Sequence, residues 1–429
     1  MPSQAKNTAL IYLLRALVRG HALLGDPTAK LFAMTPGKDP YSAFESIRAQ
    51  GPLVRSRMGM YASASHGIAT ALLRDPRYGV QPVGEMSPID VMAHAEDGRK
   101  LINPLQVSFL VRNPPDHTRL RKLVGGWFTP RALREQTPRI ERVVEDYLDR
   151  VDGRPTFDLV GEFAAQVPVQ VIADLLGVPS SDNSSFARWG SALAGTIDGV
   201  GKPAELRALH RALAEFEEFL GGLIEHRRRQ PGTDIVSALV AHDDLAREDL
   251  IATTELLLVA GFETTVNLIG NAVLAVLGHP EVRERLVADP GYAEAIVEET
   301  LRLDSPVQYA GRVAREPVEL AGTRLPTGTP VLLLLAAANR DPAVFADPHR
   351  FDPDRPDVRE HLSFSSGVHY CLGAGLARIE AAAALRGLFG RFPDLRAVGP
   401  VRRRPSRALR GPIHFPVTTG SARPLRTGG

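Results

Sequence analysis

The sequence predicts a mainly α-helical chain with small peripheral β-sheets. Three features point there. Apolar residues recur at three- and four-residue steps through long segments, whereas segments alternating with period two are few and short. Residues 249–277 also form one apolar run whose roughly 29 residues, at ~1.5 Å each, would extend ~43 Å and cross a whole domain. Glu255, Glu263, Asn267 and Asn271 make that run too polar for a membrane span, so it reads as a buried central helix.

Taken in order, residues 9–24 are apolar but carry Arg15 and Arg19 four apart, on one helical face. They lack the uninterrupted apolar core of a signal peptide or a spanning helix. An amphipathic helix lying on the protein body is expected, within an extension of residues 1–38, with membrane-surface contact as the lesser alternative. The cytoplasm is the expected location, without stable membrane insertion. Residues 52–58, 307–313, 330–335 and 413–417 are strand candidates; 171–176, 206–229, 249–277, 281–303 and 372–389 are helices. The prolines between Pro342 and Pro356 mark an irregular stretch. The arginine runs at 227–229 and 402–404 read as solvated helix ends or turns. No repeat, low-complexity tract or glycine/serine linker divides the chain, so residues 39–420 are expected to form one domain, followed by a tail of 421–429.

Composition narrows the function. At 44% hydrophobic and 23% charged, the chain matches ordinary soluble domains. A net charge of +2 supplies no field to hold phosphate backbones, which argues against nucleic acid as a partner. Cys371 is the one cysteine, so an intramolecular disulfide and a Cys-x-x-Cys site are excluded.

Chemistry gathers in two places. In the central helix, Ala260-Gly261-Phe262-Glu263-Thr264-Thr265 puts an acid and a glycine, which costs ~1 kcal/mol against alanine, into an apolar run. The plain alternative is a solvent-facing Glu263 and a close-packed Gly261. Around the cysteine, Phe364-Ser365-Ser366-Gly367-Val368-His369-Tyr370-Cys371-Leu372-Gly373 is a glycine-punctuated loop leading to a helix start, where the helix dipole favours a thiolate. Gly373-x-Gly375 is a decoy for a dinucleotide fingerprint, because Arg378 occupies the third glycine position and no suitable strand precedes it.

Phe364-x-x-Gly367-x-x-x-Cys371-x-Gly373 resembles the haem-binding signature of soluble bacterial cytochromes P-450, the haem-thiolate monooxygenases. Three more stretches resemble that family in the same order: Ala260 to Thr265, Glu299-Thr300-Leu301-Arg302, and Asn339-Arg340-Asp341-Pro342 with Arg350-Phe351-Asp352. The resemblance covers roughly residues 39–417 and implies the P-450 fold, a single domain with its long central helix over haem b. It implies Cys371 as iron ligand, with Phe364 and Gly373 in the surrounding loop, and His117, Arg121, Arg312 and His369 as partners of the haem propionates. Glu263 and Thr264 would deliver protons to oxygen. Glu299 and Arg302 would form a structural ion pair with a later arginine, Arg350 first and Arg355 second. Ser365 departs from the signature, which usually has glycine there, and Asn113 stands where an aspartate often precedes the two prolines.

The reaction so implied inserts one atom of O2 into an organic molecule and releases the other as water, consuming two electrons and two protons. No flavin or nicotinamide fingerprint is present, so a separate ferredoxin or flavodoxin with its reductase is the expected donor. A peroxide-using or rearranging enzyme, or a haem-based sensor, is the alternative; neither needs an acid and an alcohol at Glu263 and Thr264. The family lines its pocket from loops near residues 83–111 and 180–204, the central helix, the strand after Arg302 and a C-terminal turn. Leu257, Ala260, Val307, Gln308, Tyr309, Ile413 and His414 are the candidates here, a mostly apolar set that fits terpenoids, polyketides, aromatic metabolites and xenobiotics alike.

Overall fold

A computed structural model describes residues 2–80, 101–179, 183–198 and 202–420, with the side chains of 2–8, 10, 11 and 183 excepted. Within the expected pocket loops, 83–100, 180–182 and 199–201 therefore lie outside the described residues, as does the tail 421–429. The helices are α1 (Pro2–Leu23), α2 (Pro27–Ala33), α3 (Tyr41–Arg48), α4 (His66–Arg74), α5 (Pro104–Val107), α6 (Asp116–Gly125), α7 (Pro130–Val151), α8 (Gln166–Leu176), α9 (Asn183–Ala194), α10 (Pro203–Arg229), α11 (Ile235–Val240), α12 (Arg247–Gly278), α13 (Pro280–Ala288), α14 (Ala293–Leu303), α15 (Leu335–Ala338) and α16 (Ala374–Arg391).

Local chemistry sets their ends. Asp26, Ser65, Thr129 and Asp234 accept from backbone N–H groups in the first turns of α2, α4, α7 and α11, satisfying donors a helix start leaves open. Gly177 ends α8 in the left-handed conformation, at φ +77°. The expected helix over 281–303 is instead two. Pro290 cannot continue the ladder, and Asp289 caps the turn Pro290–Tyr292 by accepting from Gly291 N at 3.0 Å, so α13 stops and α14 starts afresh.

The α12 helix is the axis of the molecule, packed by α8, α9, α14 and α16. Glu248 and Asp249 lie in its first turn, where the dipole favours acids, and Arg112 and Arg119 reach Asp249 at 2.7 and 3.2 Å. It is apolar enough to cross a membrane, but 83% of its apolar window is buried inside the protein, as a core helix requires.

The sheets are small and peripheral. One runs in the order Val54–Arg55, Tyr61–Ser63, Pro330–Leu333, Ala310–Ala314, Tyr78–Gly79, with a parallel pairing between its second and third strands. The C-terminal candidate 413–417 divides. Pro412–His414 pairs with Arg402–Arg403, while Pro416–Thr418 pairs with Thr156–Asp158 and Arg396–Ala397. The run 402–404 is thus partly strand, not simply a solvated turn. At the other end, the described part of α1 does not lay all its apolar residues on the body. It packs on the seven-residue α2, too short to cover more than one stripe, and Tyr12, Leu13 and Leu17 stay exposed.

Candidate active site

Between Asp249 and Val273 every residue of α12 is buried except Ala260, Gly261 and Thr264. One turn of the central helix therefore opens on interior space, and it is the turn that carries the unusual residues. Thr264 Oγ1 donates to Ala260 O at 2.9 Å and Thr265 Oγ1 to Gly261 O at 3.2 Å, so two successive hydroxyls bond back to the preceding turn. The space a Cβ would need at Gly261 is taken by Ile172 of α8, so the glycine serves close packing.

Glu263 points elsewhere. Its carboxylate is buried, accepts from Ser191 Oγ of α9 at 2.6 Å and forms an ion pair with Arg404. No hydrogen bond joins it to Thr264 among the described residues. Sequence reasoning missed both partners, 72 and 141 residues away, for which a single chain offers no periodic signal.

Cys371 stands at the end of a tight loop. Its N–H donates to Phe364 O at 2.9 Å, and Gly367 has φ +69° with its α-carbon against Leu73 O, leaving no room for a side chain. Ser365 also adopts a left-handed φ, +62°, and its buried hydroxyl has no partner among the described residues. The sulfur has accessible surface, yet it lies deep in the fold, so that surface faces the interior. Burial pushes the thiol pKa up, opposed by the Gly373 N–H and by Arg121 and Arg378. The helix itself starts later, at Ala374, so the dipole is a lesser influence than expected. Among the described residues no atom stands within 4 Å of where a side chain would begin at Gly373, which leaves that side of the glycine open.

Beside the sulfur, four basic groups gather without an acid. The His117 and His369 rings are 4.3 Å apart; both nitrogens of His117 and Nε2 of His369 are buried without hydrogen-bond partners among the described residues. Arg312 donates to Gly311 O at 2.8 Å and Arg121 to Val368 O at 3.4 Å, and neither pairs with a carboxylate among the described residues. Burial lowers the Arg312 pKa to about 10, and burial with the neighbouring cations lowers that of His369 to about 3. Such a cluster is costly unless anions complete it. A planar group bearing two carboxylates and a metal that takes one thiolate fits the orphaned nitrogens, Cys371 and the open side of Gly373 together.

Residues 202–393 match the sequence profile of the family described as cytochrome P-450. Cytochrome P-450 140 of Mycobacterium tuberculosis is 40% identical over 428 aligned positions, covering 96% of this chain and 97% of its own. The chain belongs to the cytochrome P-450 family. The P-450 monooxygenase PikC of Streptomyces venezuelae is 40% identical across 83% of this chain and 85% of its own. The ligand-free structure of Mycobacterium smegmatis CYP164A2 superimposes with a TM-score of 0.81 at 39% identity, over 91% of this chain and 99% of that one. The present P-450 is accordingly an oxygen-incorporating oxidoreductase with haem b as cofactor.

Behind the cysteine loop of this P-450 lies a wholly buried ion cluster. Arg302 donates twice to Glu299, both at 2.7 Å, and Arg355 Nε donates to Glu299 at 3.3 Å. Arg355, not the first-choice Arg350, is therefore the third member. Arg350 gives the cluster only its carbonyl, which accepts from Arg302 at 3.0 Å and Arg355 at 3.3 Å, while its side chain is 68% exposed beside Asp352. A second cluster was not foreseen. Glu298 takes hydrogen bonds from His361 and Arg378, and the Arg378 guanidinium stacks over Phe364 at 4.5 Å. Arg378, which spoils the dinucleotide fingerprint, thus braces the cysteine loop.

The pocket candidates divide. Leu257 is buried on α12, Ala260 is exposed to the interior, and Val307 bridges to Leu409. Tyr309 donates to Asp198 at 3.0 Å, an aspartate that also accepts from the N–H groups of Arg407 and Ala408. Gln308 is buried with its amide on Ser305 O, facing a crevice also lined by Met34, Lys38 and Arg404. His414 is drawn away to Asp158 at 3.1 Å, because strand alternation sets it opposite Ile413, which is itself 36% exposed.

Proposed function

We propose that this P-450 hydroxylates or epoxidises a small, mostly apolar organic molecule, in natural-product tailoring or xenobiotic oxidation, with electrons from a separate ferredoxin or flavodoxin and its reductase. The observation that carries this reading is the open turn of α12 at Ala260, Gly261 and Thr264, set in a stretch from Asp249 to Val273 that is otherwise buried. Haem, when bound, supplies the reduction of O2 and the transfer of one oxygen atom to substrate. His117, Arg121, Arg312 and His369 would hold its carboxylates and Cys371 its metal.

The protein's own share is to exclude water, orient substrate and hand over protons. Leu257, Ala260, Val307 and Tyr309 bound the apolar space. Thr264 Oγ1 parks its proton on Ala260 O and, by rotating about χ1, offers it to an acceptor in the cavity. Glu263, tied to Arg404 and Ser191, is the adjacent carboxylate, and any proton it contributes reaches Thr264 by an intermediary and not by direct contact. For the electron donor, the cysteine loop exposes Val368 and Tyr370, an apolar tip close to Arg121 that suits an acidic carrier.

The test is product formed per reducing equivalent. Thr264→Ala is expected to keep haem and substrate binding while product falls and hydrogen peroxide rises. Glu263→Gln is expected to slow turnover and enlarge its solvent isotope effect. A Thr264→Ala enzyme as tightly coupled as the parent removes Thr264 from proton delivery.

A further inference from the structure

Along the described part of helix α1, several large apolar residues face outward. Tyr12 and Leu13 are each 57% exposed, Leu17 51%, Leu23 90% and Leu24 64%. At 100° per residue, Leu13, Leu17 and the 38%-exposed Leu14 lie on one side of the exposed face, Arg15 and Arg19 on the other, with Tyr12, Ala16 and Leu23 between them. A helix meant to pack on the body would turn these leucines inward. One meant for water would not carry them.

The charge on the segment is one-sided. Residues 2–24 contain Lys6, Arg15 and Arg19 and no aspartate or glutamate; the first acid is Asp26. A face with an apolar half and a basic edge, too short in its apolar run to span, matches a helix that lies in the headgroup region of an anionic bilayer. Its position gives such contact a purpose. Through α2, whose Phe32 ring meets Tyr309 at 5.9 Å and whose neighbour Met34 accepts from Arg407 at 3.0 Å, α1 adjoins the Asp198 contacts that cover Tyr309. Ile197, beside Asp198, is a further exposed apolar residue there.

We propose that α1 is an interfacial anchor that seats this end of the enzyme, next to the candidate pocket residue Tyr309, on an anionic lipid surface. Apolar substrate dissolved in lipid would then be presented at the protein without crossing water. The charge complementarity selects lipid over a second copy of the chain, because two α1 helices would bring like charges together.

The experiment is co-sedimentation of the full-length, haem-loaded enzyme with vesicles of phosphatidylcholine alone or mixed with phosphatidylglycerol. Binding is expected to the mixed vesicles, weaker to the neutral ones, and reduced by salt. Arg15→Gln with Arg19→Gln should lower the partition coefficient roughly 30-fold, about fivefold for each basic side chain. Leu13→Glu with Leu17→Glu should abolish it. The carbon monoxide spectrum of each variant, expected unchanged, confirms that the haem domain is intact. Enzyme left in the supernatant with anionic vesicles at low salt overturns the proposal. So does a lipid-free dimer that Leu13→Glu with Leu17→Glu dissolves.

Discussion

Exchanging Arg355 for methionine should destabilise the protein several times more than exchanging Arg350 for alanine, although the two arginines are only five residues apart and both contribute hydrogen-bonding groups around the Glu299–Arg302 pair. The magnitudes follow from the bonds. Arg302 makes five hydrogen bonds, two to Glu299 and one each to the carbonyls of Asn339, Pro348 and Arg350. Arg302→Met would leave a buried carboxylate held by Arg355 at 3.3 Å and the Asp352 N–H at 2.9 Å, at a cost of about 3–5 kcal/mol. Arg355→Met leaves the two short bonds to Arg302 intact. It forfeits one longer bond to Glu299 and the donations to Ala346, Asp347 and Arg350 carbonyls, for about 2–3 kcal/mol. Arg350→Ala removes an exposed side chain 3.6 Å from Asp352 and keeps the carbonyl that matters, so roughly 0.5 kcal/mol or less is expected. Unfolding entropy scales with chain length, so each kcal/mol shifts the melting midpoint by roughly 1 °C here. Midpoints and haem-release rates measured together should rank the variants Arg302→Met, Arg355→Met, Arg350→Ala, from most to least damaged. Equal damage from Arg350→Ala and Arg355→Met would refute the assignment of the third member.

Two more outcomes follow from the cysteine side of the fold. Burial raises the Glu298 pKa, but the bonds from His361 and Arg378 outweigh it and bring it down to about 2. A depressed carboxylate stabilises the fold above its unfolded pKa of 4.5 and loses that contribution as pH falls from about 4.5 to about 2, here about 3 kcal/mol; the acid limb of a melting-versus-pH curve should flatten in Glu298→Gln, and an unchanged limb would show the cluster to be inert. Ser365→Gly trades left-handed strain of about 1–2 kcal/mol and an unpaired hydroxyl against the greater backbone freedom of glycine, for a net gain of about 0.5–1 kcal/mol. A lower midpoint for that variant would mean the hydroxyl supports the loop.

What could be read from the sequence was whatever local periodicity encodes. The central helix, α10 and α16 were legible because their apolar spacing is helical over many turns, and the cysteine loop because its glycines and single thiol are contiguous. The apolar spacing of 281–303 runs unbroken across Pro290 and so reads as one helix, where the proline's missing N–H makes two. Arg350 outranked Arg355 because proximity in a motif says nothing of which guanidinium turns inward; that is decided by the turns between Ala346 and Asp357. Arg404, Ser191 and Asp198 had no signal at all, since each reaches its partner from a distant part of the chain. The apolar stretch at 9–24 shows the reverse limit. Pattern gives a helix, but not whether another surface exists to cover it.

The return of the C-terminal segment to the middle of the fold has a consequence for synthesis. Asp158 receives the N–H of Phe415, 257 residues later, Asn271 receives Arg403, and Glu263 pairs with Arg404. A ribosome that has made α12 has produced a helix whose buried acid and amide still lack their counterparts. Until the last segment emerges, those groups must stay hydrated, and the turn between Ala260 and Thr264 cannot close off from water. Commitment of the cavity is therefore a post-translational event, and cofactor capture competes with exposure of the long apolar central helix. Expression yield of this P-450 should accordingly be governed by the supply of haem and folding time at chain completion.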